Sequence, residues 1–255
     1  MPGPISLGLD GRVVLVTGGV RGVGAGISEV FAGQGALVVT CARRPVADLP
    51  YEFHHCDVRD PDGVAALIAA IVDRHGRLDA VVNNAGGSPY ALAADASPRF
   101  HQKIIELNLL GMLHVSQAAN AVMQNQAGGG SIVSISSLSG TRASPGTAAY
   151  GAAKAGVDSL TSSLAVEWAP KVRVNSVVAG MVRTEQAELF YGDEQSQAAV
   201  AATIPMGRLA LPADIGWAAA FLVSDAASYI SGATLAVHGG GEPPPYLSAS
   251  NANQQ

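Results

Sequence analysis

Short runs of aliphatic and β-branched residues alternate along the chain with longer alanine-rich stretches of helical periodicity. Arg12–Thr17, Leu37–Cys41, Tyr51–Cys56, Leu78–Asn83, Ser131–Ser136, Val172–Val178 and Thr234–Val237 read as strands. Gly22–Gln34, Pro61–His75, Pro98–Gln126, Thr147–Trp168 and Pro212–Val223 read as helices. Strands that are apolar throughout, rather than alternating, are buried on both faces and belong to a parallel sheet. Right-handed crossovers then place helices on either side. The predicted fold is α/β: a doubly wound, seven-stranded parallel sheet of the Rossmann type, with helices on both faces.

No composition break divides residues 1–241, which read as a single dinucleotide-binding and catalytic domain. Residues 242–255 begin with Pro243-Pro244-Pro245 and end in small polar residues, the composition of a flexible C-terminal tail. Between the second and third strands, Arg43–Pro50 is short and holds two prolines, which leaves little room for a crossover helix. The adenosine end of a nucleotide site there is expected to be open.

Composition narrows the function classes. An apolar content of 48% over 255 residues is enough for a large core. No apolar run is long enough to span a bilayer, and Met1–Asp10 lacks a basic region followed by a hydrophobic one, so the expectation is a cytoplasmic protein without a membrane partner. The net charge is −5 and the 15 basic residues are scattered, which argues against nucleic acid. Six histidines show no metal-ligand spacing, and no metal is expected. Cys41 and Cys56 end neighbouring predicted strands and read as buried thiols.

The first strand ends in Thr17-Gly18-Gly19-Val20-Arg21-Gly22-Val23-Gly24 and leads directly into a helix. Glycines there allow a tight turn and a close approach of pyrophosphate to free N–H groups at a positive helix end. Thr17, Gly18, Arg21, Gly22, Val23 and Gly24 are therefore candidate dinucleotide contacts. An acidic residue ending the second strand would bond the adenosine ribose and favour NAD(H). That place falls on Ala42, followed by Arg43 and Arg44, with Arg21 in the loop itself. A 2′-phosphate suits guanidinium groups, so the expected cofactor is NADP(H) rather than NAD(H).

Tyr150-Gly151-Ala152-Ala153-Lys154 places a phenol and an ammonium at i and i+4 on one helix face. Carbonyl reduction needs a proton donor, and a free tyrosine has a pKa of about 10. A cation ~4 Å away at an effective dielectric of ~20 contributes about 4 kcal/mol, enough to bring the phenol near neutrality. Upstream, a predicted strand ends in hydroxyls at Ser134-Ile135-Ser136-Ser137, and Asn108 sits among apolar neighbours in mid-helix, where an amide needs a partner.

From about Leu9 to Gly241 the chain resembles a short-chain dehydrogenase/reductase. The resemblance lies in the Thr17–Gly24 loop, Asp57-Val58, Asn83-Asn84-Ala85-Gly86, Asn108, Ser137, Tyr150 with Lys154, Asn175–Thr184, and Pro205–Arg208 through Gly239-Gly240. It implies that Tyr150 is the general acid/base, that Lys154 lowers its pKa and binds the nicotinamide ribose, that Ser137 bonds the reacting oxygen, and that Asn108 organises a water relay to Lys154. It further implies that Asp57 and Val58 meet the adenine. Asn83, Asn84, Ala85 and Gly86 would border the adenosine and ribose, and Gly180, Val182 and Thr184 would flank the nicotinamide. Two departures stand out: Ala179-Gly180 replaces the usual Pro-Gly and loses a fixed φ, and His238 replaces a common aspartate.

The segment between Thr184 and Arg208 covers the substrate in this family. Leu189, Phe190 and Tyr191 there suit an apolar or alicyclic small molecule, or else simply pack a lid helix. The primary expectation is hydride transfer between NADP(H) and a secondary alcohol or ketone. Reduction of a 3-oxoacyl thioester of acyl carrier protein or coenzyme A is the alternative, weakened by the uncharged Gln124–Ser131 loop. A non-catalytic NADPH-binding module is a second alternative, although such relatives typically lose the tyrosine or lysine. Enoyl reductases place more residues between those two, and a sugar-nucleotide epimerase needs a further domain. The resemblance also implies a homotetramer or homodimer paired through Pro98–Gln126 and Thr147–Trp168, where Ala148, Ala152, Ala155 and Gly156 allow close helix approach.

Overall fold

The structure, a computed structural model, describes residues 7–46 and 48–249. Its seven strands are β1 (Val13–Thr17), β2 (Leu37–Ala42), β3 (Glu52–His55), β4 (Ala80–Asn83), β5 (Gly130–Ser137), β6 (Val172–Ala179) and β7 (Thr234–Val237). They form one all-parallel sheet in the order β3-β2-β1-β4-β5-β6-β7. The order reverses between β1 and β4, so the crevice at their carboxyl ends is the place where such sheets bind ligands.

Strand residues of opposite parity build two separate cores. Val14, Val16, Val82 and Val133 face α1 (Gly22–Gly33) and α8 (Pro212–Val223). Val13, Leu15, Val81 and Ile132 face α2 (Pro61–His75), α4 (Gly111–Met123) and α5 (Ala148–Trp168). Each fully buried valine or leucine contributes about 1.5–3 kcal/mol, which is why the strands have no polar face. On the first side α1 and α8 pack closely, because Gly26 rests directly on Pro212 and any Cβ there would collide with the proline ring.

The five predicted helices are present, with differences. Pro98–Gln126 is split into α3 (Pro98–Ile105), a π-helical turn (Glu106–Leu110) and α4. Two helices not anticipated, α6 (Ala187–Tyr191) and α7 (Glu194–Ala202), follow β6; no side chain of α7 is buried, so it has no apolar stripe to read. Among the described residues, no helix joins β2 to β3. Within the predicted tail, Glu242 pairs with Arg142 and Pro245–Ala249 form a short helix, α9, while residues 250–255 lie outside the described residues.

Candidate active site

At the carboxyl ends of β1, β2 and β4 lies a cavity of about 570 Å³. Of the predicted cofactor residues, Gly18, Arg21, Ala42, Arg43, Arg44, Asp57, Val58, Asn84, Ala85 and Gly86 line it. Val20, Cys41, Pro45, Val46, Cys56 and Leu107 join them without having been anticipated in that role. Thr17 is buried beneath the loop: its hydroxyl accepts from the Asn84 and Ala85 amides, both at 3.0 Å. Asn84 returns the contact, its Nδ2 donating to the carbonyls of Thr17 at 3.0 Å and Gly18 at 3.3 Å. Gly18 holds a φ of +65°, open chiefly to glycine. A Cβ on Gly24 would strike the Gly18 carbonyl, so the loop closes only with hydrogen at both positions. Gly22 and Val23 begin α1 beside this turn.

The expectation for Asn83 is corrected. Its side chain is fully buried and donates to the hydroxyls of Ser116 at 2.8 Å and Ser134 at 3.4 Å, away from the cavity. Successive strand residues point to opposite faces, and Asn84 takes the place beside the glycine loop.

The residues present fit a nicotinamide dinucleotide. Glu185, reaching over from beyond β6, accepts from the Gly22 amide at 3.2 Å, so a carboxylate already stands where α1 offers its positive end to an anion. Arg21, Arg43 and Arg44 are exposed and form no ion pair among the described residues. Asp57 is prevented from opposing them: hydrogen bonds from Arg59, at 3.0 Å and 2.5 Å, hold its carboxyl below the usual range. Sequence reasoning missed Arg59, whose signal is the Asp-Val-Arg spacing.

Gly86 links this cavity to the second cluster, since a Cβ there would lie 2.7 Å from Asn108 Oδ1 and 3.6 Å from Lys154 Nζ. Ser137 ends β5, and its hydroxyl accepts from the Ser139 amide at 3.2 Å and shares a hydrogen bond with the Tyr150 phenol. Lys154, one turn after Tyr150 on α5, is only 3% exposed; its Nζ donates to the Ile135 carbonyl at 2.7 Å and lies 5.5 Å from the centre of the Tyr150 ring. Asn108 sits in the π-helical turn, fully buried. Its Oδ1 accepts from the Gly87 amide at 2.8 Å, and its Nδ2 donates to the carbonyls of Gly87 and Ile104, both at 2.9 Å. The mid-helix amide has the partners that its environment demanded.

The predicted electrostatics need correction. Burial pushes the Tyr150 phenol above its ordinary pKa, and the Ser137 hydrogen bond offsets only part of that. Burial also lowers Lys154 to about 7, with the charge of Asp158 opposing the fall. Desolvation disfavours ammonium and phenolate alike, so the expected acidification does not arise from these two residues by themselves. Asp158, one turn further along α5, accepts from the Ser176 hydroxyl at 2.9 Å and is the nearby carboxylate that the motif search overlooked.

Gly180 lies between β6 and β7, its amide donating to the Val237 carbonyl at 3.0 Å. Val182 bridges to Ala210, and the Thr184 hydroxyl accepts from the Gln186 amide at 3.2 Å. Backbone pairing thus supplies the order that a proline would have given this segment. The substrate candidates separate: Leu189 is 79% and Phe190 62% exposed, whereas Tyr191 hydrogen-bonds the Val182 backbone and lies close enough to Tyr150 to raise its pKa further. No group of three His, Cys, Asp or Glu side chains arranged to hold a metal ion, and no helix long and apolar enough to cross a membrane, occurs among the described residues.

Comparison with known proteins finds relatives along most of the chain. The family model described as enoyl-(acyl carrier protein) reductase matches residues 18–242. Oxidoreductase UcpA of Escherichia coli K12 is 37% identical over 258 residues, covering 94% of this chain and 98% of that protein. The 3-oxoacyl-[acyl-carrier-protein] reductase FabG of Vibrio cholerae is 37% identical over 243 residues, 92% and 98% of the two chains. A short-chain type dehydrogenase/reductase of Sinorhizobium fredii is 38% identical over 241 residues, 90% of this chain, which spans 43% of that longer protein. Among solved structures, ligand-free aldohexose dehydrogenase of Thermoplasma acidophilum superposes with a TM-score of 0.87 at 33% identity, covering 96% of both chains.

Proposed function

The chain belongs to the short-chain dehydrogenase/reductase family of oxidoreductases, and on that premise we propose that it transfers a hydride between NADP(H) and a secondary alcohol or ketone. The observation that carries the proposal is the convergence of Ser137, Tyr150 and Lys154 at the end of β5, one glycine away from the nucleotide cavity.

The nicotinamide, when bound, supplies or receives the hydride at the carbinol carbon. Ser137 donates a hydrogen bond to the substrate oxygen and fixes it beside the phenol. Tyr150, kept protonated at neutral pH by burial, delivers its proton to that oxygen as negative charge develops there. Lys154, poised near pH 7, answers the charge left on the phenolate, and Asp158 favours its protonated form. Asn108 pins Gly87 and so shapes the passage between the cavity and Lys154. Arg21, Arg43 and Arg44 hold the phosphates, and the absence of an acid at Ala42 selects the 2′-phosphate. Tyr191 borders the reacting oxygen, with the exposed Leu189 and Phe190 as outer contacts of an apolar or alicyclic substrate.

The identity to the Vibrio cholerae enzyme favours 3-oxoacyl thioester reduction as a second reading. An acidic carrier needs exposed cations near the Gln124–Ser131 loop. Arg173 is committed internally, donating to the carbonyls of Leu222, Val223, Ser224 and Ile230, and Lys171 donates to the Gln126 carbonyl.

The test is a panel of ketones, secondary alcohols and 3-oxoacyl thioesters, followed by nicotinamide absorbance with each coenzyme. Tyr150→Phe is expected to lower kcat by roughly 10²–10⁴-fold while leaving NADPH affinity intact. Full turnover in that variant removes Tyr150 from the proton-transfer step.

A further inference from the structure

Both cysteines of the chain stand in the wall of the nucleotide cavity. Cys41 lies in β2, and Cys56 directly follows β3, its neighbour at the sheet edge. Cys41 is in register with His54 and Ala42 with His55, and the Cys56 amide extends the ladder by donating to the Ala42 carbonyl at 3.1 Å. Both side chains join the same core cluster, so they emerge on one face of the sheet. They are free thiols, 1% and 5% exposed, close enough that each shifts the other's titration.

We propose that Cys41 and Cys56 form a dithiol that hydrogen peroxide oxidises to a disulfide, and that the closed form binds the nucleotide more weakly; the second half rests on the NADP(H) reading of this cavity. Cys56 is the attacking sulfur. Its contact with Cys41 favours the thiolate, while the same contact and burial hold Cys41 protonated. The Cys56 thiolate attacks one peroxide oxygen, the O–O bond breaks, and the departing hydroxide takes a proton to leave as water. The Cys41 sulfur then attacks the resulting sulfenic acid, the S–O bond breaks, and a second water carries away the Cys41 proton. Two thiols lose two electrons, and one peroxide becomes two waters.

Closure is felt by the pocket through the backbone. The Cys41 carbonyl accepts from the Gly18 amide at 2.8 Å, which ties β2 to the glycine loop. Cys56 leads into Asp57 and Val58, both in the cavity wall. A covalent bond draws the sulfurs closer than non-bonded contact does and pulls both strand ends with them.

The experiment treats the full chain with hydrogen peroxide, removes the excess, and measures intact mass, thiols under denaturing conditions and NADPH affinity by fluorescence. The expected result is loss of two hydrogens, no titratable thiol, and affinity about tenfold weaker. Dithiothreitol should restore both thiols and affinity. Cys56→Ser should keep its affinity through peroxide, and Cys41→Ser should accumulate a sulfenic acid trapped by dimedone. Two thiols surviving peroxide in the parent chain, or a disulfide with unchanged NADPH affinity, overturns the proposal. A reduced chain that binds no NADPH overturns the nucleotide reading instead, and the mass and thiol count register the dithiol independently of it.

Discussion

Lys154 is an ammonium-bearing side chain set where water does not reach, and the fold bears the cost. Its value of about 7, against an ordinary 10.5, means that the unfolded chain binds more protons than the folded one between those two pH values. Stability therefore rises with pH across that window, and the full penalty, roughly 5 kcal/mol from the gap, applies below pH 7. Part of it is offset by the Ile135 carbonyl. Lys154→Met is expected to be inactive yet more stable by about 2 kcal/mol in urea unfolding at pH 6, with the advantage shrinking toward pH 10. A variant less stable than the parent at pH 6 would contradict the burial argument. The tyrosine–lysine pair was legible because i and i+4 positions share a helix face. What burial does to the pair was not, since it depends on side chains brought in from β5 and β6. Asn83 and Asn84 show the same limit at finer grain: one asparagine serves a serine cluster and the other the glycine loop, and only the strand's parity at its last residue decides which.

Among the elements, the edge strand β3 is fastened to the end of α2 by charge. Burial draws the Glu52 carboxyl upward in pKa, but hydrogen bonds from His54 at 2.7 Å and His75 at 2.8 Å, with Arg74 beside them, outweigh it and hold the group below its usual value. A carboxyl lowered on folding stabilises the protein above its unfolded pKa, and that support is lost as pH falls through the folded value. Glu52→Gln is expected to cost roughly 1–2 kcal/mol at pH 7, with the difference from the parent vanishing in the acid range below about pH 4. Equal losses at both pH values in thermal melts would mean that the contact is not ionic. Strands and long helices were read correctly from apolar periodicity, because each faces one of two cores. The π-helical turn was not, because it is set by Asn108 reaching Gly87, a contact between segments far apart in sequence. α7 offered no apolar stripe, although Asp193, whose carboxylate accepts from the Ser196 amide at 2.8 Å, is a helix-capping residue visible in the sequence.

For the molecule as a whole, the doubly wound sheet of seven parallel strands was legible in the alternation of elements, whereas the strand order that locates the cavity is set by pairings between distant segments. Coenzyme preference is the property most exposed to test. Each charged hydrogen bond to a 2′-phosphate contributes about 1.5–3 kcal/mol, so Arg43→Ala with Arg44→Ala should weaken NADPH at least tenfold and leave NADH nearly unchanged in titration calorimetry. Equal losses for both would assign these arginines to the diphosphate. Self-association is the second expectation at this scale. Ala148, Ala152 and Ala155 are exposed on α5, whereas Gly156 is already used within the chain, a Cβ there lying 3.1 Å from Leu109 Cδ1. Light scattering at micromolar concentration should give a dimer or tetramer mass, and a monomer mass would refute the pairing. The seating of Gly26 on Pro212 has a further effect on the whole. With no clearance on that flank, α1 is braced from behind, and the aim of its leading N–H groups depends on a partner helix outside the cavity wall. Bulk added at this rear bearing would swing the helix like a lever, so that coenzyme affinity could be lost through a change that leaves every group lining the pocket in place.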